Sequence, residues 1–153
     1  MRRLAVLALA SAVLAGCGWD SSQTPSACLG GSDQYLAALE SAPGEVLLGG
    51  ETPISDCLVT AQEPGALASV GEATTAAADS LSSQVLEDRR GEAAVRLGYL
   101  VGAVQEGASA SGGIHADLVR RLETARFDEH GKSPGPEFER AFGEGYAAGQ
   151  ATG

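Results

Sequence analysis

Glu92-Ala-Ala-Val-Arg-Leu-Gly-Tyr-Leu-Val-Gly-Ala-Val-Gln-Glu-Gly107 is the stretch on which the reading of this chain turns. Ala94, Leu97, Val101 and Val104 recur at helical spacing, with Leu100 beside them, so the segment reads as an amphipathic helix. Gly98 and Gly102 lie four apart, the small-xxx-small pattern of helices whose backbones approach closely. Arg96 interrupts the apolar run, and Ala93–Val104 is too short to span a bilayer, which needs roughly 20 apolar residues. The expectation is a packed helix of a small bundle.

Helices are expected on both sides of it. Upstream, Leu67, Val70, Thr74, Ala77, Leu81 and Val85 are spaced by three and four, which predicts a helix from about Pro64 to Leu86. Pro64 suits a first helical turn, and Glu87 to Gly91 separates the two helices. Much of this stripe is Ala and Thr, so a neighbour can come close but gains little buried area. Downstream, the loop Ser109–Gly113 leads to a helix expected over about 114–127, with Ile114, Leu118, Leu122 and Ala125 inward and Arg120, Arg121 and Arg126 favouring its C-terminal half. Ser109 and Ser111 read as capping residues. After a polar break at 128–135, a helix from about Pro136 to Ala148 places Phe138, Phe142 and Tyr146 on one face, and residues 150–153 should fray.

Nearer the N-terminus, Asp33, Tyr35, Leu36, Leu39 and Glu40 suggest a short helix with Ser32 as N-cap, ending before Pro43-Gly44. Residues 43–57 read as mostly loop, with a short extended piece at Val46–Leu48 interrupted by Gly49-Gly50 and Pro53. Neither an internal repeat nor a clear strand pair is expected.

The first residues carry an address. Met1-Arg-Arg is followed by an uncharged run from Leu4 to Gly16, then Cys17. Two positive charges before a short apolar stretch make a secretory signal. Leu14-Ala15-Gly16-Cys17 resembles the lipobox of bacterial lipoproteins, and the resemblance covers the first 17 residues only. It implies cleavage before Cys17, a diacylglyceryl group on the Cys17 sulfur, and an anchor holding the chain on the extracytoplasmic side of a bacterial membrane. Two acyl chains, at about 0.8 kcal/mol per buried methylene, suffice for stable anchoring. Gly18, where some lipoproteins have Asp, resembles default sorting to the outer membrane in a diderm host. The alternative is an ordinary secreted protein with Cys17 there by chance.

With Cys17 assigned to lipid, Cys28 and Cys57 remain as an even pair in an oxidising compartment. A disulfide between them would close a loop of about 30 residues, worth roughly 3.5 kcal/mol on the chain-entropy model. A metal or redox site is the competing reading; it lacks a Cys-x-x-Cys, and His115 and His130 lie far downstream.

The domain plan is therefore a signal at 1–16, a lipid-anchored tether at 17–27, one helical domain at 28–149 and a loose tail at 150–153. The fold class is mainly α, an irregular bundle of four to five short helices whose loop-rich N-terminal part is stapled by one disulfide. Trp19 falls within the tether, where it either rests at the membrane interface or is exposed.

Composition narrows the partners. The 153 residues carry a net charge of −10, and loss of Arg2 and Arg3 with the signal makes it about −12. Leu, Ile, Val and Phe make up 26 of the remaining 137 residues, at the edge where high charge argues for disorder, so the staple matters. The acidity excludes nucleic acid and electrostatic docking on anionic lipid, both of which need Lys and Arg.

Catalytic chemistry finds little support in the spacing of residues. His115 and Asp117 project about 200° apart on a helix and cannot share a ligand. Asp128-Glu129-His130 lies in a polar break, and neither group has zinc-motif spacing. Both read as solvated surface. No serine sits in Gly-x-Ser-x-Gly, and no Gly-rich stretch continues into Gly-Lys-Ser/Thr. Neither a catalytic residue, a metal nor a cofactor is expected.

The expected function is a non-catalytic binding module of the cell envelope, taking an envelope protein or a small ligand. Two surfaces are candidates for the partner: Gly98/Tyr99/Gly102, where another helix could enter, and the Phe138/Phe142/Tyr146 stripe, unless the core consumes it, as such aromatic stripes more often serve as core or helix-docking surface than as a ligand box. The alternatives are a small envelope enzyme using His115 or His130, and a structural spacer.

Overall fold

A computed structural model describes residues 23–87, 91–128 and 130–153. The expected signal, Cys17, Trp19 and the first part of the expected tether lie outside the described residues. The rest is mainly helical, in the order α1 (Ser32–Leu39), β1 (Leu47–Leu48), β2 (Thr52–Pro53), α2 (Pro64–Glu87), α3 (Glu92–Ala110), α4 (Ala116–Thr124) and α5 (Pro136–Thr152), with 3-10 turns at Ser26–Leu29 and Ile54–Cys57.

Helix α3 is the centre of the core. From Leu97 to Val104 every residue is buried, because α2, α5 and the Ile54–Cys57 turn cover it on different sides. Such all-round covering is what an Ala- and Gly-rich helix permits. The α3–α5 contact is the closest in the fold. A Cβ built on Gly98 would lie 2.1 Å from the Phe142 carbonyl oxygen, and one on Gly102 would lie 2.2 Å from that of Tyr146. In return, a Cβ on Gly145 would lie 1.9 Å from the Val95 oxygen, and one on Gly149 would lie 2.2 Å from that of Tyr99. Rising residue numbers on α3 meet rising numbers on α5, so the two helices run parallel, with α4 as the return. Each helix's missing side chains admit the other's backbone.

This seam corrects the expected partner surfaces. Tyr99 is fully buried, Phe138 and Phe142 are 7% and 5% exposed, and Tyr146 is half-buried. The Gly98/Tyr99/Gly102 face and the Phe138/Phe142/Tyr146 helix close on each other inside the monomer, so neither is offered to a partner. The aromatic rings stack along α5, with centroids 5.6 Å apart for Phe138–Phe142 and 6.1 Å for Phe142–Tyr146.

The seam also corrects the chain end. Residues 150–152 continue α5, because Gly149 and Gly153 still lie against Ala103 of α3. The Tyr99 hydroxyl lies 2.9 Å from Thr152 Oγ1 and accepts the Val46 N–H at 3.3 Å. Thr152 donates to the Ala148 carbonyl, so the tyrosine proton points at Thr152. One phenol thereby ties Val46, just before β1, to the last turn of α5. The Ser55 hydroxyl bonds the Gly153 carbonyl in addition.

The N-terminal part is stapled as expected. Cys28 and Cys57 are bonded, with their Cα atoms 5.5 Å apart and both side chains fully buried. Tyr35 donates to the Cys28 carbonyl at 3.0 Å, and burial pushes its hydroxyl above the usual phenol range. The fold begins earlier than residue 28: Ala27 packs on the core, and Gln62 bonds Thr24, so residues 24 and 27 belong to the folded part rather than to the expected tether. A strand pair is present after all, with Leu48 opposite Thr52 and Leu47 opposite Pro53. Gly49 and Gly50 make it possible by adopting φ of 62° and 83° in the turn. Gly31, not Ser32, is the N-cap of α1; Ser32 is its first helical residue.

Candidate functional site: a groove between two helices

Small residues on α2 leave a trough. Ala68, Gly71, Thr75 and Ala76 form its floor, with Leu67 at one end. The opposite wall is the start of α4, where Ile114 and Leu118 add apolar surface and Arg121 a cation. The groove encloses about 630 Å³ and is open to solvent along one side. This is the size range of ligand pockets, roughly 300–1,000 Å³. A Cβ on Gly71 would meet nothing within 4 Å, so the floor is vacant space rather than tight packing. Glu72, Asp79 and Asp117 stand on the rim. Asp117 is paired with Arg120 at 2.6 Å, whereas among the described residues Glu72 and Asp79 have no ion-pair partner.

The α4 wall differs from the expected one for a geometric reason. Gly112 and Gly113 turn the chain with φ of 69° and 90°, and the helix starts only at Ala116. The inward position goes to His115, which is 1% exposed, and Ile114 is displaced outward to 41%. His115 is therefore not solvated surface, as its position in the sequence suggested. Leu118 and Leu122 are buried as expected.

His115 is held by a polar network that spans the fold. Its Nε2 lies 2.7 Å from Gln62 Oε1, and its Nδ1 lies 2.7 Å from Ser111 Oγ. Gln62 Nε2 donates to the Cys57 carbonyl and to Thr24 Oγ1, both at 2.8 Å. With its amide protons used there, Gln62 presents only an oxygen to the histidine, which assigns the imidazole proton to Nε2. Nδ1 then accepts from Ser111. The Ala108 carbonyl, also 2.8 Å from Ser111 Oγ, keeps its bond from the Ser111 N–H. Burial lowers the His115 pKa, which keeps the ring neutral and this assignment stable.

Serine on one ring nitrogen and an orienting group on the other is the connectivity of an activated nucleophile. Here Ser111 is 2% exposed, so a substrate carbonyl has no approach to its oxygen. The third group is a neutral amide, which gives an imidazolium no charge partner. The network is a clamp: it joins the disulfide turn, residue 24 and the α3–α4 corner, and so fixes the far wall of the groove.

His130 lies apart from this site, beside a smaller cavity of about 300 Å³ that Phe127, Pro134 and Phe138 also line. The Arg126 guanidinium sits 5.0 Å from the centroids of both Phe127 and Phe142 and donates to Glu139 at 2.7 Å. These contacts tie the end of α4 to α5. Among the described residues no three His, Cys, Asp or Glu side chains converge as a metal site would require, and no helix is long and apolar enough to cross a membrane. Ser111 and His115 stand four apart in the sequence, although one read as a capping residue and the other as solvated surface. Gln62 had no local signal, since its partner lies 53 residues away.

Compared with family models, curated proteins and solved structures, the chain matches none.

Proposed function

We propose that this chain is a lipid-anchored, extracytoplasmic binding module of a bacterial envelope, without a catalytic role, and that the α2–α4 groove is its binding surface. The lipobox-like Leu14-Ala15-Gly16-Cys17 supports the address. The observation that carries the binding role is the groove itself: a vacant apolar floor at Gly71 beside the exposed Ile114, on a wall that the His115 network holds in place. A preformed concave surface avoids part of the ordering cost of association.

The test is site-specific photocrosslinking in cells. A photoreactive residue replaces Ile114 in one strain and Gly143, which is exposed on α5 away from the groove, in another. One dominant adduct from position 114, absent from position 143 and reduced by Gly71→Leu, is the expected result. Loss of the same adduct in Cys17→Ala would show that the anchor is needed. Identical adducts from both positions would refute the groove as the binding surface.

A further inference from the structure

Resting on that reading, we infer that the groove's occupant is a basic amphipathic helix of a partner protein, with its apolar face on Gly71 and its cations against Glu72 and Asp79. Three features of the groove select this chemistry.

The first is shape. The α2 side of the groove runs from Leu67 to Asp79, about 18 Å of helix, and the groove is open to solvent rather than enclosed. A trough of that length suits three turns of a docked helix better than it suits an enclosed small molecule. The second is the floor, where the vacancy at Gly71 leaves room for aliphatic side chains recurring at i, i+3 and i+4. The third is charge. Glu72 and Asp79 are seven residues apart on α2, so they face the groove's edge about 10 Å apart, two turns of an incoming helix. Both are exposed and neither is ion-paired among the described residues. The one cation on the opposite wall, Arg121, is outnumbered, and the chain as a whole carries −10. Lys or Arg placed two turns apart on the occupant would satisfy both carboxylates; an acidic helix would face them in repulsion.

The probes are two labelled synthetic helices of about fourteen residues, roughly 21 Å, with the same Leu stripe. One carries Lys on its flanks and the other Glu. Each is titrated by fluorescence anisotropy against the acylated mature protein in phosphatidylcholine vesicles, with protein-free vesicles as blank. The Lys helix should bind at least about tenfold tighter than its Glu twin, and added salt should narrow the gap. Gly71→Leu, which leaves the charge unchanged, should weaken it at least about tenfold by filling the floor. Circular dichroism of that variant confirms its helices. Glu72→Gln with Asp79→Gln should weaken the Lys helix about threefold or more and leave the Glu twin no worse.

Equal binding of the twins overturns the inference, as does Lys-helix binding that survives Gly71→Leu, or no binding of either. A Gly71-dependent crosslink in cells, found together with peptides that fail, would leave the groove as a binding surface and remove only this occupant.

Discussion

Two alanines placed two residues apart on α5 should move stability in opposite directions. At Gly145 a methyl group would sit 1.9 Å from the Val95 oxygen, 2.7 Å from the Val95 carbonyl carbon and 2.9 Å from the Tyr99 nitrogen. All three are backbone atoms of α3, so no side-chain rotation relieves the clash. Relief requires α5 to retreat by more than about 1 Å, which opens a gap along neighbouring parts of the seam and forfeits part of their dispersion energy. Overpacking of this kind costs about 1–3 kcal/mol, and rigid neighbours push toward the upper end. Alanine's helix propensity returns at most about 1 kcal/mol. The net loss for Gly145→Ala is therefore about 2 kcal/mol. At Gly143, exposed and with nothing within 4 Å of a built Cβ, only the propensity term acts, and Gly143→Ala should stabilise by about 0.5–1 kcal/mol. Urea unfolding of the oxidised protein, followed by far-ultraviolet circular dichroism, reads both differences. If Gly145→Ala matched Gly143→Ala to within about 0.5 kcal/mol, then α3 and α5 would not meet backbone to backbone and the packing argument would be wrong.

Three further outcomes follow from the same structure. Tyr99→Phe removes the acceptor of the Val46 N–H and the partner of Thr152; it should cost about 1–2 kcal/mol, and hydrogen exchange should quicken at residues 149–152 first. Burial lowers the His115 pKa, so below about pH 6.5 the unfolded chain takes up a proton that the folded chain resists. This stability term is complete above that pH and declines as pH falls toward the folded pKa; His115→Gln should flatten the profile, and an unchanged profile would contradict the buried neutral ring. Reduction of Cys28–Cys57 should lower the urea midpoint by an amount equivalent to roughly 3.5 kcal/mol, with a thiol-blocked sample as the comparison.

The helices were legible because each one repeats its apolar residues at a helical period. Pro64 opens α2, and Val70, Thr74, Ala77 and Leu81 of its stripe are buried. The disulfide was legible by counting. The stripe at Gly98 and Gly102 announced a close helix neighbour, yet not which one, because a glycine pattern states a permitted distance and carries no address. The answering pattern, Ala141, Gly145 and Gly149 of α5 with Gly153 capping it, sat beside a more conspicuous aromatic stripe. Reading the aromatic face alone made two halves of one seam look like two free surfaces.

The candidate site was less legible, for a related reason. A groove is the space left between elements, and small residues at 68, 71, 75 and 76 mean either tight packing or vacancy according to what stands opposite. Sequence alone therefore determined the helical class, the staple, the acidic charge and the resemblance to an anchored lipoprotein, since each of these is set by local period, count or motif. Tertiary structure decided that α5, not a partner, covers α3. It also decided that His115 turns inward while Ile114 turns out, and that Gln62 completes the clamp. Those outcomes depend on contacts between residues about 50 apart in the chain, where burial and hydrogen-bond satisfaction act on the whole fold at once.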